Sequence, residues 1–353
     1  MRKFKNFLGL VLVCSFGLLS CEKDETNEKP PDFFHVKISN TELPVWIKGN
    51  TKNRKLILYV NGGPGLTSID VASADMFGWS KILEDEFAMV YYDQRGCGNS
   101  QGNILETSLT VDQFTLDLEA IITVLISQYP GYQIYLMGHS FGSFIGANYL
   151  MDSARQSKIS GWISVDGAFN FDYSLQWEYR RDFLTNIAHE EVAKGNNPGH
   201  WNEALAWAVS NPAISTDEQK DKWRDFIGDP GERIIPLEEG KLSFRQYMSI
   251  GFFSSYNPFP AYLSKNLEIV NDKLNKDAEG KNLISGLVGI SLPTLFIWGR
   301  YDDLIPPELG QDAFMNLGTP DHLKKFFIMQ ESSHEPYISD PETFQNAIIN
   351  FVR

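Results

Sequence analysis

Cysteine is scarce in this chain: Cys14, Cys21 and Cys97 are the three in 353 residues. The first two fall in an amino-terminal leader and at its end, so Cys97 is the single thiol left for the folded part. Neither an internal disulfide nor a cysteine-rich metal site can be built from it. Positive charge is also short, with 31 Lys and Arg against 45 Asp and Glu and a net charge of −14. Binding nucleic acid by phosphate neutralisation needs the opposite balance, so no nucleic-acid partner is expected. The apolar run from Phe7 to Leu19 has 13 residues, too few for the roughly 20 that span a bilayer. Histidines number six, and no two stand in an H-x-x-x-H or comparable spacing, which argues against a zinc hydrolase and for no metal. Internal repeats and further low-complexity tracts are missing. What is present, 42% hydrophobic and 22% charged residues, supplies a large core and excludes a disordered chain.

The leader is basic at Arg2, Lys3 and Lys5, then apolar, then Leu18-Leu19-Ser20-Cys21. That order resembles a bacterial lipoprotein signal over residues 1–20, after which Cys21 becomes the lipidated first residue and the membrane partner is lipid-mediated. Residues 21–32 read as an acidic flexible tether, because Glu22 to Asp32 has no apolar residue and two prolines. The acidic start Glu22-Lys23-Asp24-Glu25 resembles an export tag of surface lipoproteins. A short acidic tract is equally at home in a plain solvated linker, so the expected location is the cell envelope at the outer membrane, with the face it occupies left open.

From Phe33 onward the pattern alternates strands with helices. Strand-like runs at 34–38, 43–47, 55–60, 87–92, 132–137, 159–165, 293–298 and 325–329 are separated by helical patterns at 114–126 and 144–151, with a last helix capped by Asp340 and opened by Pro341. Thr110 with Gln113 reads as a capping box before the first of these helices. Buried strands alternating with helices imply a mainly parallel sheet in an α/β fold. Between about Gly167 and Gly289 that rhythm stops, and helical stretches at 176–194, 201–209 and 217–226 take over. More than 100 residues is too long for a loop, so residues 167–289 are expected to be an inserted helical lid between core segments 33–166 and 290–353.

The chemistry concentrates at Gly138-His139-Ser140-Phe141-Gly142, between a strand and a helix. A serine on such a strained turn presents its hydroxyl at the top of the sheet, and the helix amino terminus favours a developing oxyanion. Serine needs a base. Of the six histidines, His35 and His139 precede or adjoin the serine and His189 and His200 lie in the insertion, while His322 precedes the last strand at the wrong edge. His334 follows that strand and is the expected base. The acid is expected after the strand 293–298, in Gly299-Arg300-Tyr301-Asp302-Asp303-Leu304-Ile305-Pro306. Asp302 is preferred, since hydrolases of this type place the acid three residues beyond such a glycine and four before the proline; Asp303 is the alternative. The amides of Phe141 and of Gly63, in Asn61-Gly62-Gly63-Pro64-Gly65, are the expected oxyanion donors.

Together, NGGPG at 61–65, DQRGCGNS at 93–100, GHSFG at 138–142, GRYD at 299–302 and SSHEP at 332–336 resemble the proline iminopeptidase branch of the α/β-hydrolase fold, over nearly all the chain after the tether. The resemblance implies a cofactor-free Ser-Asp-His hydrolase that releases amino-terminal residues from short peptides, with Ser140, Asp302 and His334 catalytic and Gly63 and Phe141 as donors. Asn61 stands where that family usually has His. Asp93 and Arg95 are expected to brace the loops as an ion pair. Family aminopeptidases bind the substrate's free amine through lid carboxylates, for which Glu178, beside Trp177 and Tyr179, is the candidate; the competing and preferred reading makes it one of the many lid acids on solvated helix faces. A proline-specific lid signature is not found. The alternative is an esterase or lactonase on the same triad; a non-catalytic binding lipoprotein is less favoured. Ser140 at the nucleophile position argues against dehalogenase and epoxide hydrolase chemistry, which uses Asp there.

Overall fold

The computed structural model describes residues 32–75, 77–102, 104–228 and 266–353. The leader, Cys21 and the tether up to residue 31 lie outside the described residues, as does the 229–265 portion of the expected lid.

Among the described residues nine strands form one sheet: β1 (Asp32–Ile38), β2 (Thr41–Gly49), β3 (Lys55–Val60), β4 (Ala88–Tyr92), β5 (Gln101–Gly102), β6 (Gln133–His139), β7 (Gly161–Val165), β8 (Thr294–Gly299) and β9 (Lys324–Met329). Their order is β1-β2-β4-β3-β6-β7-β8-β9, with β5 paired to β2. β1, β2 and β5 run antiparallel to their neighbours, and every pair from β4 through β9 is parallel. The carboxyl ends of β3, β6, β7, β8 and β9 therefore share one edge. At β3 the chain order reverses direction across the sheet, the arrangement that opens a crevice for ligands at that edge.

Strand alternation sends side chains into two cores. Leu56, Leu58 and Val60 of β3 pack with Phe114, Leu118 and Ile121 of α1 (Val111–Gln128) and Phe144 of α2 (Phe141–Leu150). The intervening Ile57 and Tyr59 face the other way, toward Phe344 and Ile348 of the carboxyl-terminal helix, Pro341–Val352. Both faces are covered, which is why the strands read as nearly continuous apolar runs. Asp340 Oδ1 caps that last helix through the Thr343 amide at 3.1 Å, with Pro341 in its first turn, as the sequence predicts. The cap of α1 differs from the expected box. Thr110 Oγ1 accepts from the Gln113 amide at 3.2 Å, but the Gln113 side chain turns forward to Asp117 instead of back.

Between β7 and β8 the described chain is helical: α3 (Tyr173–Lys194), α4 (Pro198–Ser210), α5 (Asp217–Gly228) and α6 (Asn266–Ala278). Trp177, Leu184, Trp201, Trp223 and Phe226 of α3 to α5 form a third apolar cluster separate from the two that flank the sheet. α6 returns to the core, and its Asp277 Oδ2 accepts from the Val111 amide at 2.9 Å at the start of α1. Among the described residues no helix is long and apolar enough to cross a membrane.

Candidate active site

Ser140 sits between β6 and α2 with φ 52° and ψ −120°. For a residue with a side chain this left-handed backbone costs on the order of 1–3 kcal/mol and persists only where the surroundings enforce it. They do so from both sides: the Ser140 amide donates to Val165 O at 2.9 Å, and its carbonyl accepts from the Ser143 and Ala168 amides. The flanking glycines are required by space. A Cβ at Gly142 would overlap Val60 O, and one at Gly138 would come within 2.6 Å of the Ser143 amide nitrogen. The turn thus lies against the end of β3.

His334 follows β9 and Asp302 follows β8, in one contact: His334 Nδ1 to Asp302 Oδ2 is 2.8 Å. Asp302 is fully buried, and its Oδ1 accepts from the Leu304 and Ile305 amides at 3.0 and 2.9 Å. Those bonds orient the carboxylate before any ligand arrives. Asp303 lies next to the pair and acts on His334 through charge, while the hydrogen bond belongs to Asp302. The acid and histidine loops are stitched together by backbone bonds from Arg300 to Met329 O and from Tyr301 to Ser332 O. Burial alone would lower the imidazole pKa; the Asp302 charge and hydrogen bond outweigh it and hold His334 above the usual value.

His139 joins the serine turn to the histidine loop. Its Nε2 lies 2.9 Å from His334 O, a carbonyl that can only accept, so the proton is on Nε2; Nδ1 then faces the Tyr337 hydroxyl at 3.4 Å. Burial and the charge of His334 depress His139 to a pKa of about 3, so it stays neutral. The His139 and His334 rings are 4.9 Å apart between centroids. Ser140 Oγ itself is not hydrogen-bonded to His334; nucleophile-to-base contacts are often long before substrate binds.

The loop at 61–65 runs beside the serine: a Cβ on Gly62 would be 3.1 Å from Ser140 Cβ. Phe141 begins α2, so its amide is one of the helix's unpaired amino-terminal donors. Asn61 anchors the loop, its Oδ1 taking the Tyr59 hydroxyl at 3.0 Å and the Gly62 amide at 2.8 Å. Gln94 adds a brace the sequence did not flag, accepting from the Gly65 amide and donating to Asn61 O at 3.1 and 3.0 Å.

One expectation is corrected. Asp93 and Arg95 do not pair with each other. The Asp93 carboxylate accepts from the Ser68, Ile69 and Asn99 amides, while the buried Arg95 guanidinium makes two bonds, 2.8 and 2.6 Å, to Asp117 of α1. A buried guanidinium is best matched by a carboxylate that takes both prongs, and Asp117 offers that geometry. Glu178 is exposed on α3, as the solvated-face reading has it, while Trp177 beside it enters the insertion's core. Helical periodicity turns adjacent residues about 100° apart, so only one of the two can face inward. Among the described residues no cluster of three or more His, Cys, Asp or Glu could hold a metal ion.

The profile of the family described as alpha/beta hydrolase fold matches residues 55–341. The chain is 23% identical over 326 residues to a probable aminopeptidase, YbaC, of Bacillus subtilis, covering 90% of this chain and 95% of that protein. It is 29% identical over 239 residues to a pimeloyl-[acyl-carrier protein] methyl ester esterase of Vibrio vulnificus, covering 66% and 85% respectively. In structure it resembles proline iminopeptidase of Mycobacterium smegmatis, with a TM-score of 0.53, 17% identity and coverage of 91% and 97%, a likeness of fold.

Proposed function

The chain belongs to the alpha/beta hydrolase fold family, and on that basis we propose that it is a serine hydrolase in which Ser140 attacks a carbonyl, His334 carries the proton and Asp302 holds the imidazole. The observation that carries the reading is the 2.8 Å bond between His334 Nδ1 and Asp302 Oδ2, with Ser140 on a strained turn at the same sheet edge. Attack transfers the Ser140 hydroxyl proton to His334 Nε2 and gives a tetrahedral oxyanion, which accepts hydrogen bonds from the Phe141 and Gly63 amides. Collapse returns that proton to the leaving amine or alcohol and leaves an acyl-enzyme, which water then hydrolyses by the same relay.

The preferred substrate class is a short peptide with a free amino terminus, supported by likeness to a probable aminopeptidase over 90% of the chain. Likeness to a methyl ester esterase supports carboxylic esters as the second reading. The helical insertion acts as the lid in both. It is tied to the acid loop by Arg180 to Leu304 O at 2.9 Å and by the Arg300–Glu190 ion pair. Export and lipid attachment at Cys21 complete the proposal and place the enzyme at the outer membrane.

Purified protein assayed with aminoacyl-arylamides, amino-blocked arylamides and short-chain aryl esters separates the readings. Preference for free over blocked arylamides supports the aminopeptidase, and turnover of esters alone supports the esterase. Full activity in either Ser140→Ala or His334→Ala overturns the triad assignment.

A further inference from the structure

A second carboxyl group lies behind the first. Asp166 follows β7, between the serine turn and the acid loop, with φ 44° and no solvent exposure. Its amide donates to Ile297 O at 3.0 Å, and its Oδ1 accepts from the Gly299 amide at 2.8 Å, so β7 and β8 grip it on both sides. Its Oδ2 is buried and receives no N–H or O–H from any described residue. Gly299, whose amide Asp166 holds, also accepts at its carbonyl from the Asp302 amide at 3.3 Å, so both acids sit on the same turn and their carboxyls interact.

Two carboxylates cannot hydrogen-bond to each other, because each can only accept. Asp302 already has its charge matched by His334 and by two amides, whereas Asp166 has one amide. A single proton between the two belongs on the less solvated acid. Burial, and then the Asp302 charge, push the Asp166 carboxyl well above the ordinary carboxylate range. Glu335 adds to that push, and the buried Tyr337 phenol also feels Asp166. No cation is among the groups acting on it, and the Gly299 amide that favours its ionised form is outweighed by burial and the Asp302 charge.

We infer that Asp166 is a positioning residue that stays protonated and donates a hydrogen bond from Oδ2 to the Asp302 carboxylate, fixing it against His334. This rests on the triad reading above. The bond also sets basicity. A donor on Asp302 draws off part of its negative charge, so the imidazolium beside it is stabilised less and His334 remains a free base at lower pH. Without the donor, the His334 pKa rises.

The test compares Asp166→Asn, whose amide donates but cannot ionise, with Asp166→Ala, in the full mature protein. Hydrogen bonds to charged groups change rates by roughly 10- to 100-fold, so kcat/KM falls by that amount in Asp166→Ala, and its acid limb moves to higher pH. Asp166→Asn recovers most of the loss, with the limb near its wild-type place. Infrared spectra at neutral pH give an answer independent of turnover and of the alanine variant's folding: the band of an undissociated carboxylic acid is present in wild type and missing in Asp166→Asn. The inference is overturned if that band is missing from wild type, or if Asp166→Ala keeps the wild-type limb. Ser140→Ala in the same series separates the two failures. Retained turnover there removes the triad reading, whereas lost turnover with no acid band removes only the role of Asp166.

Discussion

Gly299 and Ser333 cross so closely that a Cβ at 299 would overlap the Ser333 carbonyl oxygen. The acid loop leaves the sheet at Gly299, and the histidine loop passes over it one residue before His334. Gly299→Ala should therefore push the two loops apart and lengthen the Asp302–His334 bond. Expected is a loss of kcat of at least roughly 10-fold, since small misplacements of reacting groups cost up to about 100-fold. Kinetics with circular dichroism as a folding control check it; wild-type kcat with an intact fold contradicts it.

The two neighbouring acids are separable by substitution. Asp302→Asn should lower kcat by roughly 10³- to 10⁴-fold, because the amide offers the imidazole the wrong partner and tautomer. Asp303→Asn should cost less than about 10-fold, the effect of a removed neighbouring charge. Equal losses in the two variants would reverse the assignment of the acid.

Arg95 and Asp117 make a buried pair that ties the loop after β4 to α1. Removing one member leaves an uncompensated buried charge, so Asp117→Ala should destabilise the fold by about 3–5 kcal/mol. Urea unfolding measures this. A loss under about 1 kcal/mol would mean the pair is reached by solvent.

The pH dependence has two parts of opposite sign. His334 is raised in the fold by Asp302 acting against burial, so the acid limb of kcat/KM should lie above the ordinary imidazole value of about 6.5. Its raised pKa contributes stability that is complete below the unfolded value and is lost as pH rises through the folded one. His139 is lowered to about 3. Its neutral form contributes nothing adverse above about 6.5, but as pH falls from there toward 3 the unfolded chain gains a proton that the fold refuses, and stability declines. His139→Gln should flatten the thermal-melting profile over that acid window. A profile as steep as the wild type's would show that another group governs it.

The strand and helix pattern was readable because both faces of the sheet are buried, so β3, β6 and β8 stand out as short apolar runs ended by glycine. Ser140, Asp302 and His334 were readable because each follows a strand, and parallel strands put their carboxyl ends on one edge. Long-range pairing was less legible. Nothing near Arg95 in sequence signals that its partner is Asp117, 22 positions on, since charge alone does not tell which side of a loop a guanidinium leaves. Gln94 escaped notice because its amide acts on backbone groups of a distant loop. Asp166 had a faint signal, an acid immediately after a fully apolar strand.

Val270 of α6 is fully buried, and its Cγ1 would lie 2.7 Å from a Cβ on Gly65, in the loop that also holds Gly63; its Cγ2 stands in the same relation to Gly96. The insertion and the turn beside the serine therefore interlock through one methyl-bearing side chain fitted to two bare backbones. A graft exchanging this insertion for that of a relative would inherit that fit only if position 270 and both glycines travelled together. Substrate range in this scaffold is thus not freely interchangeable by swapping caps, and recombination would succeed only along seams that leave this socket whole.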